Sequence, residues 1–361
     1  MKKLIWLTWH ETNYNSFLFS SLSKVKDIDL TVYYVKKRLE THPWKRQPLY
    51  GSIRLETLKT IYGVDWRFIW KCIFARETYF IISGWNNLTM FLAITILAFF
   101  KKKFAIWSDT PRIHLKRNII KGTLRKLWIE FIFTKVDKIM ATGKPGINNF
   151  IKMGIKREKV INFPFVTDLK HFDIRFDEKK DKEKSIVFLS SGRLVNSHKG
   201  HDLAIMAVKK ITNHNIKLKI AGIGPDFIKL KELVKKLELQ DRVEFLGWIE
   251  IDDLPAFYNS GHAYLHTSHF DPFPNSVLEA MACGLPVIGS DMAGSILDRV
   301  EEGYNGFIHK SGSLISIIEK INVFIDNIWR IEDLRKNARK TALCHRVDYN
   351  IDVIKNILDN A

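Results

Sequence analysis

Between residues 185 and 289, short apolar runs alternate with stretches of helical pattern, and this alternation constrains the fold more than any other feature of the chain. The apolar runs are residues 185–189, 216–220, 243–245, 263–266 and 286–289. The helical stretches are residues 200–211, 226–237, 252–258 and 274–283. Such alternation is the signature of a parallel sheet with crossover helices. The first half repeats it, with apolar runs at 3–8, 28–35, 79–82, 104–107, 138–141 and 160–163 and helical patterns at 16–25, 88–100, 116–133 and 145–153. The fold class expected is therefore α/β, with two doubly wound, Rossmann-like domains facing a central cleft. Ligands bind such sheets where loops leave the carboxyl ends of the strands.

A charged segment poor in large aliphatics, residues 168–184, reads as the linker. It separates a first domain at 1–167 from a second at 185–348. Residues 36–71 are basic and aromatic and predict loops and short elements. Residues 332–343 and 349–358 are helical in pattern.

The 361 residues carry a formal net charge of +18, and its distribution matters more than its size. The first 170 residues hold 31 Lys+Arg against 12 Asp+Glu, a net +19, which leaves the remainder at −1. Such asymmetry points to an anionic partner for the first half: a membrane surface, a diphosphate-bearing lipid or nucleic acid. Residues 88–100 are the most apolar run, but a bilayer span needs about 20 residues. A buried helix is the plainer reading, and a helix lying in the membrane interface the sharper one. Residues 116–133 form a basic amphipathic pattern, with Arg117, Lys121, Arg125 and Lys126 opposite Ile119, Leu124, Leu127, Trp128 and Phe131. That basic face is either solvated or set against a membrane. The aromatic segment 43–70 is compatible with base stacking, yet no nucleic-acid module is recognisable and nucleic acid is not the expected partner. Cys72, Cys283 and Cys344 lack disulfide or zinc spacing, which fits a reducing compartment. No signal peptide is convincing.

Three loops of the second half fall at strand ends and converge. The first runs Ser190-Ser191-Gly192-Arg193 to His198-Lys199-Gly200, and its two cations suit a diphosphate. The second is Ala221-Gly222-Ile223-Gly224-Pro225, whose glycines let a ligand approach the backbone. The third is DPFPNSVLEAMACGLPVIGSD, residues 271–291. It holds Asp271 and Glu279, a helix from Pro274 with Pro274 in its first turn, and a cap at Gly284. The free N–H groups at that helix start make an anion site.

With GRLVNSHKG, AGIGP and VEFLGW before it, the 271–291 stretch resembles the nucleotide-sugar domain of the retaining GT-B glycosyltransferases, family 4 (glycosyl transferases group 1). Their signature is Glu, seven residues, Glu. Asp271 stands at the first place and Glu279 at the second, so the first side chain is one methylene short. The resemblance covers roughly residues 185–307. It implies that Arg193 and Lys199 bind the donor diphosphate, that Glu279 holds the ribose hydroxyls and that Asp271 orients the transferred sugar. The N–H groups of Asn275, Ser276 and Val277, beside Phe273 and Pro274, would cap phosphate and sugar. Gly192, Gly222 and Gly224 would line the donor, and Leu246, Gly247 and Ile249 would flank the base. In such folds the last helix, here 349–361, crosses back to pack on the first domain.

Breaking a sugar–phosphate bond needs positive charge at the departing diphosphate. Arg193, Lys199 and a helix N-terminus supply it, so no cofactor and no obligatory metal are expected. The only Asp-x-Asp, Asp27-Ile28-Asp29, stands in the wrong half. Many relatives have Gly-Gly after the first strand, where this chain reads Trp9-His10-Glu11. Many have His where Ser108-Asp109 stand. Asp109 is a candidate to orient the acceptor or act as base, and equally a local cap. The function expected is a retaining transfer from a UDP- or GDP-sugar to a lipid-linked or polysaccharide acceptor in bacterial cell-surface glycan synthesis. The enzyme would be cytoplasmic, peripheral on the inner face of the membrane. The alternatives are a nucleic-acid-binding or nucleic-acid-glycosylating protein, a GT-B sugar epimerase, or a silent binder.

Overall fold

The computed structural model describes residues 1–36, 53–109, 119–173, 185–212 and 215–360, with side chains omitted for 119–121. The elements in order are β1 (Lys2–Thr8), α1 (Asn13–Leu22), β2 (Ile28–Tyr34), β3 (Arg54–Thr57), α2 (Trp66–Phe74), β4 (Thr78–Ser83), α3 (Leu88–Phe99), β5 (Phe104–Ser108), α4 (Ile119–Lys135), β6 (Lys138–Ala141), α5 (Gly143–Lys152) and β7 (Val160–Asn162). They continue with β8 (Ile186–Ser191), α6 (Asn196–Lys199), α7 (His201–Lys210), β9 (Ile216–Ala221), α8 (Phe227–Lys236), β10 (Val243–Gly247), α9 (Leu254–Tyr258), β11 (Ala263–His266), α10 (Asn275–Ala282) and β12 (Val287–Ser290). The last are α11 (Gly294–Arg299), β13 (Gly306–His309), α12 (Leu314–Asp326), α13 (Ile331–Leu343) and α14 (Val347–Asp359). The chain divides into two compact units. One is Met1–Val166 with Val347–Ala361, and the other is Thr167–Arg346.

Each unit holds one sheet, and every pairing within the sheets is parallel. The first is ordered β3-β2-β1-β4-β5-β6-β7 and the second β10-β9-β8-β11-β12-β13. Parallel sheets are covered on both faces, which is why the central strands read as unbroken apolar runs. In β1, Leu4 and Trp6 point to a core shared with α1 and α14. Ile5 and Leu7 point to the opposite core, shared with α2, α3, α4 and α5. In β8, Phe188 faces α7, α8 and α12, whereas Val187 and Leu189 face α9, α10 and α13.

Several boundaries differ from the sequence expectation. α1 begins at Asn13 rather than 16, because the Thr12 hydroxyl accepts from Asn15 N–H at 3.2 Å and starts the helix there. Pro274 is the N-cap of α10, one residue ahead of the helix instead of inside its first turn. The 36–71 segment contains a strand, β3, and the start of a helix, α2. α11, β13 and α12 fill a region the sequence leaves unassigned. Phe172, expected in the linker, is buried in the second unit's core with its ring 6.1 Å from Tyr258. Residues 174–184 of the expected linker, 116–118 of the basic helix and 43–52 of the aromatic segment lie outside the described residues. So do the side chains of Arg117, Ile119 and Lys121.

The run at 88–100 is helical as α3 and packs Met90, Ala93, Ile94 and Leu97 into the core. No helix among the described residues is long and apolar enough to cross a membrane.

Candidate functional site

In the second sheet the strand order reverses between β8 and β11. The loops leaving those two strands diverge, and a crevice opens at their carboxyl ends. This is where the sequence-predicted residues of the second unit gather.

The loop after β8 carries Gly192 and Arg193 and leads into the single turn α6, which ends in Lys199. Arg193 is exposed. The loop is locked to its neighbour after β9 by backbone bonds. Gly192 N–H donates to Ala221 O at 3.0 Å, Leu194 N–H to Ile223 O at 2.9 Å and Asp226 N–H to Leu194 O at 3.0 Å. That locking accounts for the glycines. A Cβ on Gly222, whose φ is +137°, would stand 1.9 Å from Gly192 O, and one on Gly224 would stand 2.4 Å from Leu194 O. The sequence assigned these glycines to ligand approach. The structure adds loop-on-loop contact, which alone demands them.

Asp271 enters from the loop after β11 and pairs with Lys199 Nζ. The Lys199 side chain passes over Gly192 to reach it. His266, at the end of β11, places Nε2 3.6 Å from Asp271 Oδ2. Burial by itself would raise the Asp271 carboxyl, but the His266 ring and the Lys199 ammonium outweigh it and hold the pKa down to about 2. The Asp271 backbone is pinned as well: its N–H donates to Met292 O at 3.1 Å, and its carbonyl accepts from Gly294 N–H at 3.0 Å. A Cβ on Gly294 would meet Pro272 O at 1.9 Å, so only glycine fits this crossing.

α10 starts directly after this loop, with no side-chain cap. The N–H groups of Asn275, Ser276 and Val277 therefore carry the positive end of the helix at the same crevice. The Val277 side chain is fully buried, so only its backbone can meet a ligand. Phe273 is buried under the Arg299 guanidinium, 4.6 Å from its ring, and anchors the loop.

Glu279, one turn into α10, is half-buried and accepts from Tyr258 Oη at 3.0 Å. Tyr264 Oη in turn lies 3.0 Å from Ser191 Oγ and donates to Ser191 O at 3.1 Å. Desolvation dominates at Glu279. The Tyr258 hydrogen bond and the His171 charge offset only part of it, and the carboxyl is pushed up to about 7. The two acids of the motif thus sit in opposite electrostatic settings.

Leu246, Gly247 and Ile249 lie at the end of β10, beyond β9 from the crevice. Gly247 has φ +69°, and its carbonyl accepts from Gly222 N–H at 2.6 Å. Asp109 belongs to the first unit, at the carboxyl end of β5, where its charge helps raise the pKa of the buried Tyr14 phenol after burial itself. It is not among the groups the second unit brings together. The residues missed on the sequence are His266, Tyr258, Tyr264 and Gly294. The first three are polar tips in apolar runs, and nothing in their spacing marks them.

Known proteins resemble the chain in sequence and in fold. The sequence model of the family described as glycosyl transferases group 1 matches residues 172–341. N-acetyl-alpha-D-glucosaminyl L-malate synthase of Bacillus anthracis is 25% identical over 227 residues, 55% of this chain and 57% of the relative. A phosphatidylinositol N-acetylglucosaminyltransferase polypeptide of Arabidopsis thaliana is 24% identical over 277 residues, 73% of this chain and 56% of the relative. The matched region therefore spans little more than half the length of these two curated relatives. The crystal structure of Anabaena HepE in complex with UDP superposes with a TM-score of 0.79 at 18% identity, covering 100% of both chains. Residues 172–341, just under half of the chain, match the glycosyl transferases group 1 family, and the two parallel-sheet units are those of the GT-B fold.

Proposed function

We propose that the chain transfers a sugar from a UDP- or GDP-sugar to a lipid-linked or polysaccharide acceptor of a bacterial cell surface, at the inner membrane face. The reading includes retention of anomeric configuration and no obligatory metal. The observation that carries it is the Lys199–Asp271 pair at the switch point, beside the uncapped start of α10. A donor diphosphate brings a denser negative charge than one carboxylate. Lys199 turns to it together with Arg193 and the α10 N–H groups, and the three stabilise the departing nucleoside diphosphate. Asp271, released from Lys199 and kept ionised, accepts hydrogen bonds from hydroxyls of the sugar and fixes its orientation. Glu279 does the same for the ribose. In a same-face displacement the leaving phosphate oxygen takes the acceptor's proton, and neither acid of the motif moves one. Asp109, at the carboxyl end of the first sheet, is the candidate to orient the acceptor.

Anabaena HepE, solved with UDP, supports the nucleotide class, and the phosphatidylinositol named for the Arabidopsis relative supports a lipid acceptor. The test is mass detection of product from a panel of nucleotide sugars with a crude lipid acceptor. Lys199→Ala and Glu279→Ala are each expected to lower kcat/KM about 100-fold or more. Full transfer by both variants overturns the assignment. Epimerisation of the donor without acceptor, or transfer to nucleic acid, favours the rival readings.

A further inference from the structure

The helix layer of the first unit buries one side and leaves the other aromatic. On α2, Phe68, Ile69 and Cys72 face the core. Trp66, Trp70 and Phe74 recur every four residues and form a stripe on the outer side. Trp70 is 58% and Phe74 65% exposed, and their rings stack at 5.3 Å. On α4, Ile129, Ile132 and Phe133 face inward while Leu124, Leu127 and Phe131 form a second outward stripe. Between them lies α3, which ends in Phe99, 72% exposed, and Phe100.

These stripes belong to one surface. α2 packs on α3 and α3 on α4. Lys102 Nζ donates to Ala75 O at 2.9 Å, which ties the segment just after α3 to the C-cap of α2, so Phe74 and the pair Phe99 and Phe100 stand at the same end of the two helices. At the opposite end, Thr89 Oγ1 donates to Gly63 O at 3.2 Å and holds the exposed turn of Ile61 and Tyr62 against the start of α3. Scattered exposed apolar residues are ordinary, but aligned stripes on two helices, with the exposed end of α3 between them, mark a surface made to be covered.

Charge names what covers it. Exposed Arg67 on α2, Lys101 and Lys103 after α3, and Lys126 and Lys135 on α4 accompany the stripes; Arg67 pairs with Asp65, Lys103 with Asp137 and Lys126 with Glu130, and Glu77 is a further carboxylate, so the local excess of cations is small. The first 170 residues as a whole carry +19. A second copy of the chain would set one cationic face on another. A duplex nucleic acid offers phosphates but nothing apolar to receive Leu124, Leu127 or Phe99. A bilayer containing anionic lipid offers both, with headgroups for the lysines and arginines and an acyl boundary for the rings.

We infer that the outer face of α2, α3 and α4 docks flat on an anionic lipid bilayer, with Trp66, Trp70, Phe74 and Phe99 inserted at the headgroup level. The inference deepens the proposed function and rests on it in one respect, the membrane as the place where acceptor is met. The contact itself stands on the first unit alone.

The test is flotation of the purified full chain with vesicles of phosphatidylcholine alone and of phosphatidylcholine with phosphatidylglycerol. The unaltered chain is expected to float with the mixed vesicles, less so as salt rises, and with blue-shifted tryptophan emission. Trp70→Glu combined with Leu127→Glu is expected to lower partitioning about 10-fold or more. Trp70→Ala and Phe99→Ser, milder and made separately, are expected to lower it by a smaller factor with unchanged circular dichroism. Unchanged flotation of all three variants overturns the inference, as does self-association through this face in place of vesicle binding. Sugar transfer to a detergent-solubilised acceptor is measured alongside. Transfer retained while flotation is lost supports the docking face. Absence of transfer with flotation intact counts against the proposed function and leaves the docking face standing.

Discussion

In its proposed role Glu279 meets two opposed demands. Ribose hydroxyls are held best by an ionised carboxylate, yet its surroundings favour the protonated form and set its pKa near 7. Donor affinity should therefore climb as pH rises through that value, which titration of UDP into the protein by calorimetry would follow. Tyr258→Phe removes the donor that favours the carboxylate, so the midpoint should move to higher pH. The same residue bears on stability with a definite sign. Its folded pKa lies above the ordinary 4.5, so the native state binds the proton more tightly than the unfolded chain. The contribution is full below about 4.5 and is lost as pH rises through about 7, to a limit of about 3 kcal/mol. Glu279→Gln should flatten that slope in urea titrations, and an unaltered slope would refute the account. Asp271 works the other way: its carboxyl is depressed, so its contribution is full above the usual carboxylate range and is lost only as pH falls toward 2.

At the scale of elements, one substitution type should give opposite signs at two glycines. Gly222→Ala places a methyl at φ +137° against Gly192 O and should cost about 2 kcal/mol or more, with weaker nucleotide binding. Gly122→Ala lies within α4 with nothing within 4 Å of the new Cβ and should stabilise by about 1 kcal/mol. Denaturant titration of both variants decides the matter. The elements also explain what the sequence can and cannot disclose. Apart from β3, an exposed edge strand, and β13, the strands are legible because the central ones are buried on both faces and read as apolar blocks. α2 is not, because it is only nine residues long and Trp66, Trp70 and Phe74 alternate with Arg67 and Lys71, so the segment reads as basic and aromatic. In the site, Asp271, Glu279 and Lys199 are legible from loop spacing. His266, Tyr258 and Tyr264 are not, since their partners come from other elements and only folding brings them together.

At the scale of the molecule, the two units hold separate cores, and the loops proposed to hold the donor all belong to Thr167–Arg346. Nucleotide binding should therefore protect one unit preferentially. With UDP at about 100 times its Kd, the amides of the second unit's core strands should gain about 2.7 kcal/mol of protection from hydrogen exchange. Those of β1, β4 and β5 should stay as they are. Equal protection of both sheets would show that the units open together.

The first unit is closed by residues from both ends of the sequence. Lys2 Nζ donates to Leu358 O at 2.7 Å, and Val353, Ile354, Ile357 and Leu358 of α14 complete the core lined by Leu4 and Trp6. During synthesis this inverts the order of completion. At about 5–20 residues per second, residues 167–346 take roughly ten seconds or more to follow the first unit out of the ribosome. Throughout that interval one sheet face is covered by α1 but lacks α14. The unit begun second is finished first, and the cationic unit begun first keeps the apolar surface meant for α14 open to solvent until the last turn of that helix emerges.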